Sequence, residues 1–106
     1  MKGIITPKLA EDLVLSKYGK KFYLTLVGSV ATKGRSYNDM DILISYFHPS
    51  EVDDFMETLT KDDWIYQSAA VEGRSPNFAR FMKMVGPYEV VLDLYKKHYH
   101  HEALVN

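Results

Sequence analysis

The chain has 106 residues, no cysteine and a formal net charge of −1, and 46% of its residues are hydrophobic and 25% charged. These values are typical of a soluble globular protein with a hydrophobic core, so we expect one domain over residues 1–106. The lack of cysteine excludes disulfides and thiolate metal sites. Proteins that grip long nucleic acid unaided usually carry a basic face, so we expect nucleic acid to bind only weakly or with a partner.

The hydropathy of the sequence indicates the cellular location of the protein. The segment Met1 to Pro7 lacks the long apolar run of a signal peptide, and no stretch approaches the length of a membrane span. We therefore expect a cytoplasmic protein that does not contact a membrane.

The first elements follow from capping residues and periodicity. Thr6 with Pro7 at the next position predicts the start of a helix, and Gly19 predicts its end. Its apolar residues recur at helical spacing: Leu9, Ala10, Leu13 and Val14. Alternation then predicts a strand from Lys21 to Val27.

A Gly-Ser turn and a basic loop follow this strand. Gly28 allows the backbone to come close to a ligand, and Ser29 adds a hydroxyl donor. One helical turn is expected from Val30 to Lys33. Lys33 and Arg35 place positive charge where an anionic triphosphate would lie, although both residue types are equally common as solvated loop charges.

Two aspartates open the second predicted strand, Met40 to Tyr46. Residues i and i+2 of a strand share a face, so Asp39 and Asp41 project side by side. Two carboxylates that close repel each other unless a cation lies between them, and oxygen-only ligands suit Mg²⁺. The alternating apolar residues should be buried on the opposite face: Met40, Ile42 and Ile44.

The middle of the chain predicts a helix and a weak strand. Ser50 with Asp53 resembles a capping box. The helix that follows carries an apolar stripe: Val52, Phe55, Met56 and Leu59. Its acidic residues fit a solvated face. Trp64 to Val71 predicts a strand of low propensity, and Glu72 to Pro76 a loop.

Two paired strands are predicted near the end, Asn77 to Val85 and Tyr88 to Tyr95. Because proline fits poorly at the second position of a tight hairpin turn, we expect an irregular turn at Gly86-Pro87. Lys96 to Asn106 should add a helical turn or fray.

The last strand supplies a third carboxylate. Alternation places Asp93 on one face with Glu89, Val91 and Tyr95, opposite the apolar Val90, Leu92 and Leu94. Glu89 is the alternative ligand on the same face.

Other charged residues are better explained without a site. Arg74, Arg80 and Lys83 could line a substrate groove, but solvated loop or strand-edge positions fit them better. A metal site formed by His98, His100 and His101 lacks a fourth ligand at suitable spacing.

The ordered set of motifs resembles the signature of the DNA polymerase beta-like nucleotidyltransferases, most closely the family X polymerase palm. The shared motifs are Gly28-Ser29, a spacer, Asp39-x-Asp41 in an apolar strand, and Asp93 in a later strand. The shared order of elements is strand, Gly-Ser loop, Asp-x-Asp strand, helix, and three strands of which the last carries Asp93, and it covers roughly residues 20–100. The family usually has arginine and glycine at the positions of Thr32 and Lys33, whereas here Gly34 and Arg35 follow two residues later. The resemblance implies an α+β fold in which a mixed sheet carries helices on one face.

The resemblance also implies an activity. Asp39, Asp41 and Asp93 would bind two Mg²⁺ ions, or Mn²⁺, while Gly28, Ser29, Lys33 and Arg35 would hold the phosphates. The reaction would move a nucleoside monophosphate from a nucleoside triphosphate, ATP among them, to a hydroxyl acceptor. The acceptor would be a protein, a small molecule or a nucleic-acid end. The alternative is a non-catalytic module that binds a nucleotide or a protein partner, as in the antitoxin-like half of a two-component system. The partner would be another protein or further copies of this chain in a homo-oligomer.

Overall fold

The computed structural model describes residues 3–37, 39–67 and 78–99. In chain order the elements are β1 (Ile4–Ile5), α1 (Pro7–Ala10), a π-helical turn (Glu11–Leu15), α2 (Ser16–Tyr18), β2 (Tyr23–Val27), α3 (Gly28–Lys33), β3 (Ser36–Tyr37), β4 (Asp39–Tyr46), α4 (Pro49–Lys61), β5 (Ile65–Tyr66), β6 (Phe78–Val85) and β7 (Tyr88–His98).

The main sheet has five strands in the order β2-β4-β7-β6-β5, and β1 and β3 form a separate two-stranded ribbon. Strands β4 and β7 are parallel, and the other neighbouring pairs are antiparallel. The helices pack on one face of this mixed sheet. The α+β fold class expected from the sequence is therefore confirmed.

The hydrophobic core lies between the helices and that face of the sheet. The strands contribute the alternating residues predicted to be buried, with Met40, Ile42, Leu92 and Leu94 each 0% exposed. The helices add Ala10 and Val14 from the first helical segment and Val52, Phe55 and Leu59 from α4. Because the side-chain period of a strand is two, this register turns Asp39, Asp41 and Asp93 to the opposite face.

The helix starts show one prediction confirmed and one wrong. Thr6 caps α1, accepting a hydrogen bond from the Leu9 N–H at 3.3 Å, and Pro7 occupies the first turn. Helix α4 begins earlier than the Ser50–Asp53 box implies. Its N-cap is His48, and the Glu51 carboxylate accepts hydrogen bonds from the His48 and Phe47 N–H groups at 2.6 and 2.9 Å. Proline can occupy the first helical position, which allows the helix to start at Pro49.

The β6–β7 turn is tighter than expected. Val85 pairs directly with Tyr88, so Gly86 and Pro87 alone form the loop. Gly86 has a φ of +61°, as the first position of a type II′ turn requires. Proline has the negative φ needed at the second position, so the pair makes a regular hairpin turn.

Two other boundaries differ from the predictions. Strand β7 continues to His98, because Lys96, Lys97 and His98 pair with the end of β4 in place of forming a helical turn. Strand β5 covers only Ile65–Tyr66, since Trp64 and Gln67 on either side of it are not in a strand. Residues 68–71 of that predicted strand and the 72–76 loop lie outside the described residues. In the ranges that the structure describes, no helix is both long enough and apolar enough to cross a membrane.

Candidate functional site

Three aspartates meet on the face of the sheet that points away from the helices, on the neighbouring interior strands β4 and β7. The parallel pairing of β4 with β7 places Asp41 directly beside Asp93, and Asp39 pairs with Val91. Neighbouring strands lie about 4.8 Å apart, so the Asp41 and Asp93 side chains leave adjacent backbone positions on the same face. The structure thus brings together the three carboxylates that the sequence singled out.

Crowding and burial raise the proton affinity of one of them. The pKa of Asp41 rises to about 6, chiefly because the side chain is partly buried and then because the charges of Asp93 and Asp39 lie close by. The Arg80 guanidinium acts in the opposite direction and lowers that pKa. Asp41 therefore keeps its proton to a higher pH than an isolated aspartate does.

The loop after β2 closes over this acid. Gly28 has a φ of +70°, and a Cβ atom at this position would overlap the Asp41 carboxylate. Glycine is needed here for two reasons, because it adopts this backbone conformation without strain and because it leaves room for Asp41. Helix α3 then runs from Gly28 to Lys33, and Gly34 caps its C-terminus with a φ of +79°.

A second interaction fixes Asp93. Arg80 donates hydrogen bonds from Nε to Oδ1 at 2.6 Å and from Nη2 to Oδ2 at 2.9 Å. Asp93 is 4% exposed, and its charge raises the pKa of Arg80. A two-pronged pair of this kind fixes the orientation of the carboxylate as well as its charge. The Asp93 carboxylate is thus buried and held in one orientation by Arg80.

Sequence reasoning missed this role for Arg80, although a signal for it was present. Arg80 and Asp93 are direct partners in the antiparallel β6–β7 pair. Counting back residue by residue from a two-residue turn at Gly86-Pro87 places them opposite each other. The expectation of an irregular turn left the register open, and Arg80 was interpreted as a solvated charge.

The basic loop residues line a cavity beside the acids. This half-open cavity of about 380 Å³ is lined by Ile4, Ser29, Lys33, Arg35 and Ser36. The Ser36 hydroxyl also donates a hydrogen bond to the Asp39 carboxylate, so the cavity adjoins the acidic cluster. The structure therefore places Ser29, Lys33 and Arg35 together, next to Asp39.

The alternative ligands lie elsewhere. Glu89 pairs with Met84, beyond the point where β4 begins. His98 lies at the far end of β7, stacks on Tyr46 and makes a 2.8 Å hydrogen bond through Nε2 with the Phe47 carbonyl. His100, His101 and Arg74 lie outside the described residues.

The acids do not form a ready-made metal cage. Among the residues that the structure describes, no group of three or more histidine, aspartate or glutamate side chains is arranged to hold a metal ion. Both oxygens of the third acid, Asp93, accept hydrogen bonds from Arg80.

Comparison with known proteins supports the fold. No model of a protein family matches the sequence, and no curated protein matches it. Among solved structures, the conserved protein GrpB from Enterococcus faecalis is similar, with a TM-score of 0.54 and 10% sequence identity. The match covers 99% of this chain, which spans 66% of the GrpB chain. Similarity at this identity shows the fold alone, and the mixed sheet with helices on one face is consistent with a palm-like fold.

Proposed function

We propose that the chain is a nucleotidyltransferase that binds a nucleoside triphosphate with a divalent cation at the cluster of Asp39, Asp41 and Asp93. It transfers the nucleoside monophosphate to a hydroxyl acceptor, and pyrophosphate leaves. The observation that carries this proposal is the parallel β4–β7 register, which sets Asp41 beside Asp93 with Asp39 two residues away. The acceptor is a protein, a small molecule or a nucleic-acid end.

The donor set at Asp39 and Asp41 fits Mg²⁺ or Mn²⁺. Both groups offer only oxygen atoms, and their mutual repulsion with Asp93 is reflected in the raised pKa of Asp41. A cation bound there favours the ionised form of Asp41, because opposite charge lowers a carboxyl pKa. Such a cation supplies positive charge that polarises the phosphate and balances the charge that develops during transfer.

The cavity beside Asp39 suits the phosphates. Lys33 and Arg35 bring two positive charges to it, and Ser29 and Ser36 bring hydroxyl donors. Held in this cavity, the outgoing pyrophosphate would lie next to Asp39, to which Ser36 is hydrogen-bonded. These residues orient the leaving group and stabilise its charge. Asp93, held in place by Arg80, adds a third carboxyl group directly beside Asp41.

A second candidate function is a non-catalytic module that binds a nucleotide or a protein partner. One observation favours it, the engagement of both Asp93 oxygens by Arg80. If Asp93 stays engaged and takes no part in chemistry, the remaining two acids bind a metal-bound triphosphate without transferring it.

Calorimetric titration with a triphosphate analogue that resists cleavage at the α-phosphate tests the binding half of the proposal. We expect tighter binding with Mg²⁺ or Mn²⁺ than with chelator, and Asp39→Asn should remove most of that difference. Asp53→Asn is a matched control, since it makes the same chemical change on the exposed face of α4. Equal affinity with and without the cation would overturn metal-dependent binding.

Incubation with triphosphates labelled at the α-phosphate, together with a cell lysate, tests transfer. We expect label on an acceptor and release of pyrophosphate, both lost in Asp39→Asn and retained in Asp53→Asn. Tight metal-dependent binding with no transfer of any nucleotide would instead establish the binding-module function.

A further inference from the structure

Arg80 is held more firmly than a surface arginine. Its side chain is 28% exposed, and that of Asp93 is 6% exposed. Strand register sets the two residues opposite each other, and the guanidinium carbon lies 5.9 Å from the centre of the Phe78 ring. The arginine is therefore oriented by pairing, by two hydrogen bonds and by an aromatic neighbour.

The guanidinium also acts on the rest of the acidic cluster. The Asp39 charge contributes to the raised pKa of Arg80, and Arg80 in turn lowers the pKa of Asp41. With all groups ionised, three carboxylates and one guanidinium carry two net negative charges. One divalent cation balances that charge, whereas two would leave the cluster positive.

We infer that this site takes one divalent cation, at Asp39 and Asp41, and that Arg80 on Asp93 occupies the place of a second. This inference rests on the proposed function and refines it, since the motif resemblance implies two ions. Both Asp93 oxygens already accept hydrogen bonds from Arg80, so a second cation would have to displace a buried pair to reach them. Arg80 is thus a positioning residue, acting through Asp93.

Titration of the full chain with Mn²⁺ alone counts the bound ions, because the electron paramagnetic resonance signal measures the concentration of free Mn²⁺ at each point. We expect one ion per wild-type chain and none in Asp39→Asn. Arg80→Gln should bind two, because Asp93 is released, and the double variant Arg80→Gln with Asp93→Asn should return to one. Lys20→Gln, which removes a positive charge from an exposed position before β2, should stay at one.

The outcomes separate this inference from the proposed function. A wild-type chain that binds two ions overturns the inference alone, as does a folded Arg80→Gln that still binds one. A wild-type chain that binds no Mn²⁺ overturns the inference as well, whereas the proposed function is overturned only by equal triphosphate affinity with and without the cation.

A second measurement needs no folded Arg80→Gln variant. The chain has three arginines, Arg35, Arg74 and Arg80, so Arg80→Lys suffices to assign the Arg80 Nε–H resonance. That resonance should persist when Mg²⁺ saturates the wild-type protein. Its loss on Mg²⁺ binding would mean that the cation displaces Arg80 and would overturn the inference.

Discussion

Replacing Gly28 with alanine tests the close approach between the β2–α3 turn and Asp41. At this position the backbone has a φ of +70°, and an added Cβ atom would overlap the Asp41 carboxylate. Gly28→Ala therefore incurs two costs. The left-handed backbone conformation costs an L-residue about 1–2 kcal/mol, and moving a packed neighbour costs about 1–3 kcal/mol more.

Gly34 provides a control that separates the two costs. It has a similar φ of +79°, but an added Cβ atom would meet no other atom within 4 Å. Gly34→Ala should thus incur only the backbone cost, lowering the melting temperature by about 4–8 °C, using roughly 4 °C per kcal/mol for a chain of this size. Gly28→Ala, with both costs, should lower it by about 8–20 °C on the same scale.

Denaturant unfolding of both variants measures the difference in free energy directly. Adding Asp41→Ala to Gly28→Ala should recover part of the excess cost, because it removes the overlapping carboxylate, and a double-mutant cycle gives that coupling. If Gly28→Ala and Gly34→Ala agree within about half a kcal/mol, the contact between residue 28 and Asp41 does not exist as described.

Two further predictions concern single carboxylates. Between pH 3.8 and about 6 the folded protein keeps a proton on Asp41 that the unfolded chain has released. The free energy of unfolding should therefore fall as pH rises through this window, by about 1 kcal/mol after allowing for solvent screening. Asp41→Asn should abolish that part of the pH dependence when both proteins are unfolded in denaturant with chelator, and identical profiles would contradict the raised pKa. Glu51→Ala should cost about 1 kcal/mol at pH 7, because two N–H groups at the start of α4 lose their acceptor. The pKa of Glu51 is lowered by these hydrogen bonds, so the difference in free energy of unfolding between Glu51→Ala and wild type should shrink as pH falls below 4.5. Glu57→Ala, which breaks only an exposed pair with Lys61, is the matched control. An equal cost in both variants would refute the capping role.

The sheet and its buried face could be predicted because alternation is strict in the central strands. Met40, Ile42 and Ile44 in one strand, and Leu92 and Leu94 in the other, leave only one register that buries apolar side chains. That register also decides which face carries Asp39, Asp41 and Asp93. The face of the sheet that carries the three acids could therefore be predicted from the apolar pattern of the core.

What could not be predicted depended on local backbone geometry. Two overlapping capping patterns compete before α4, and the choice of Glu51 over Asp53 follows from where Pro49 sits in the helix. The turn at Gly86-Pro87 depends on a positive φ at Gly86, which composition alone does not reveal. Without that turn the pairing of Arg80 with Asp93 could not be derived, so the hydrogen bonds between their side chains could not be predicted.

The parallel pairing of β4 with β7 also has a kinetic consequence. Asp41 and Asp93 are neighbours in space but lie 52 positions apart in sequence, and contacts between distant residues form slowly because a long loop must first close. The antiparallel β2–β4 and β6–β7 pairs join segments much closer in sequence and can form on either side of that gap. The acidic cluster therefore assembles only when the two halves of the sheet join, and a ribosome-bound chain has no such cluster until β7 has emerged.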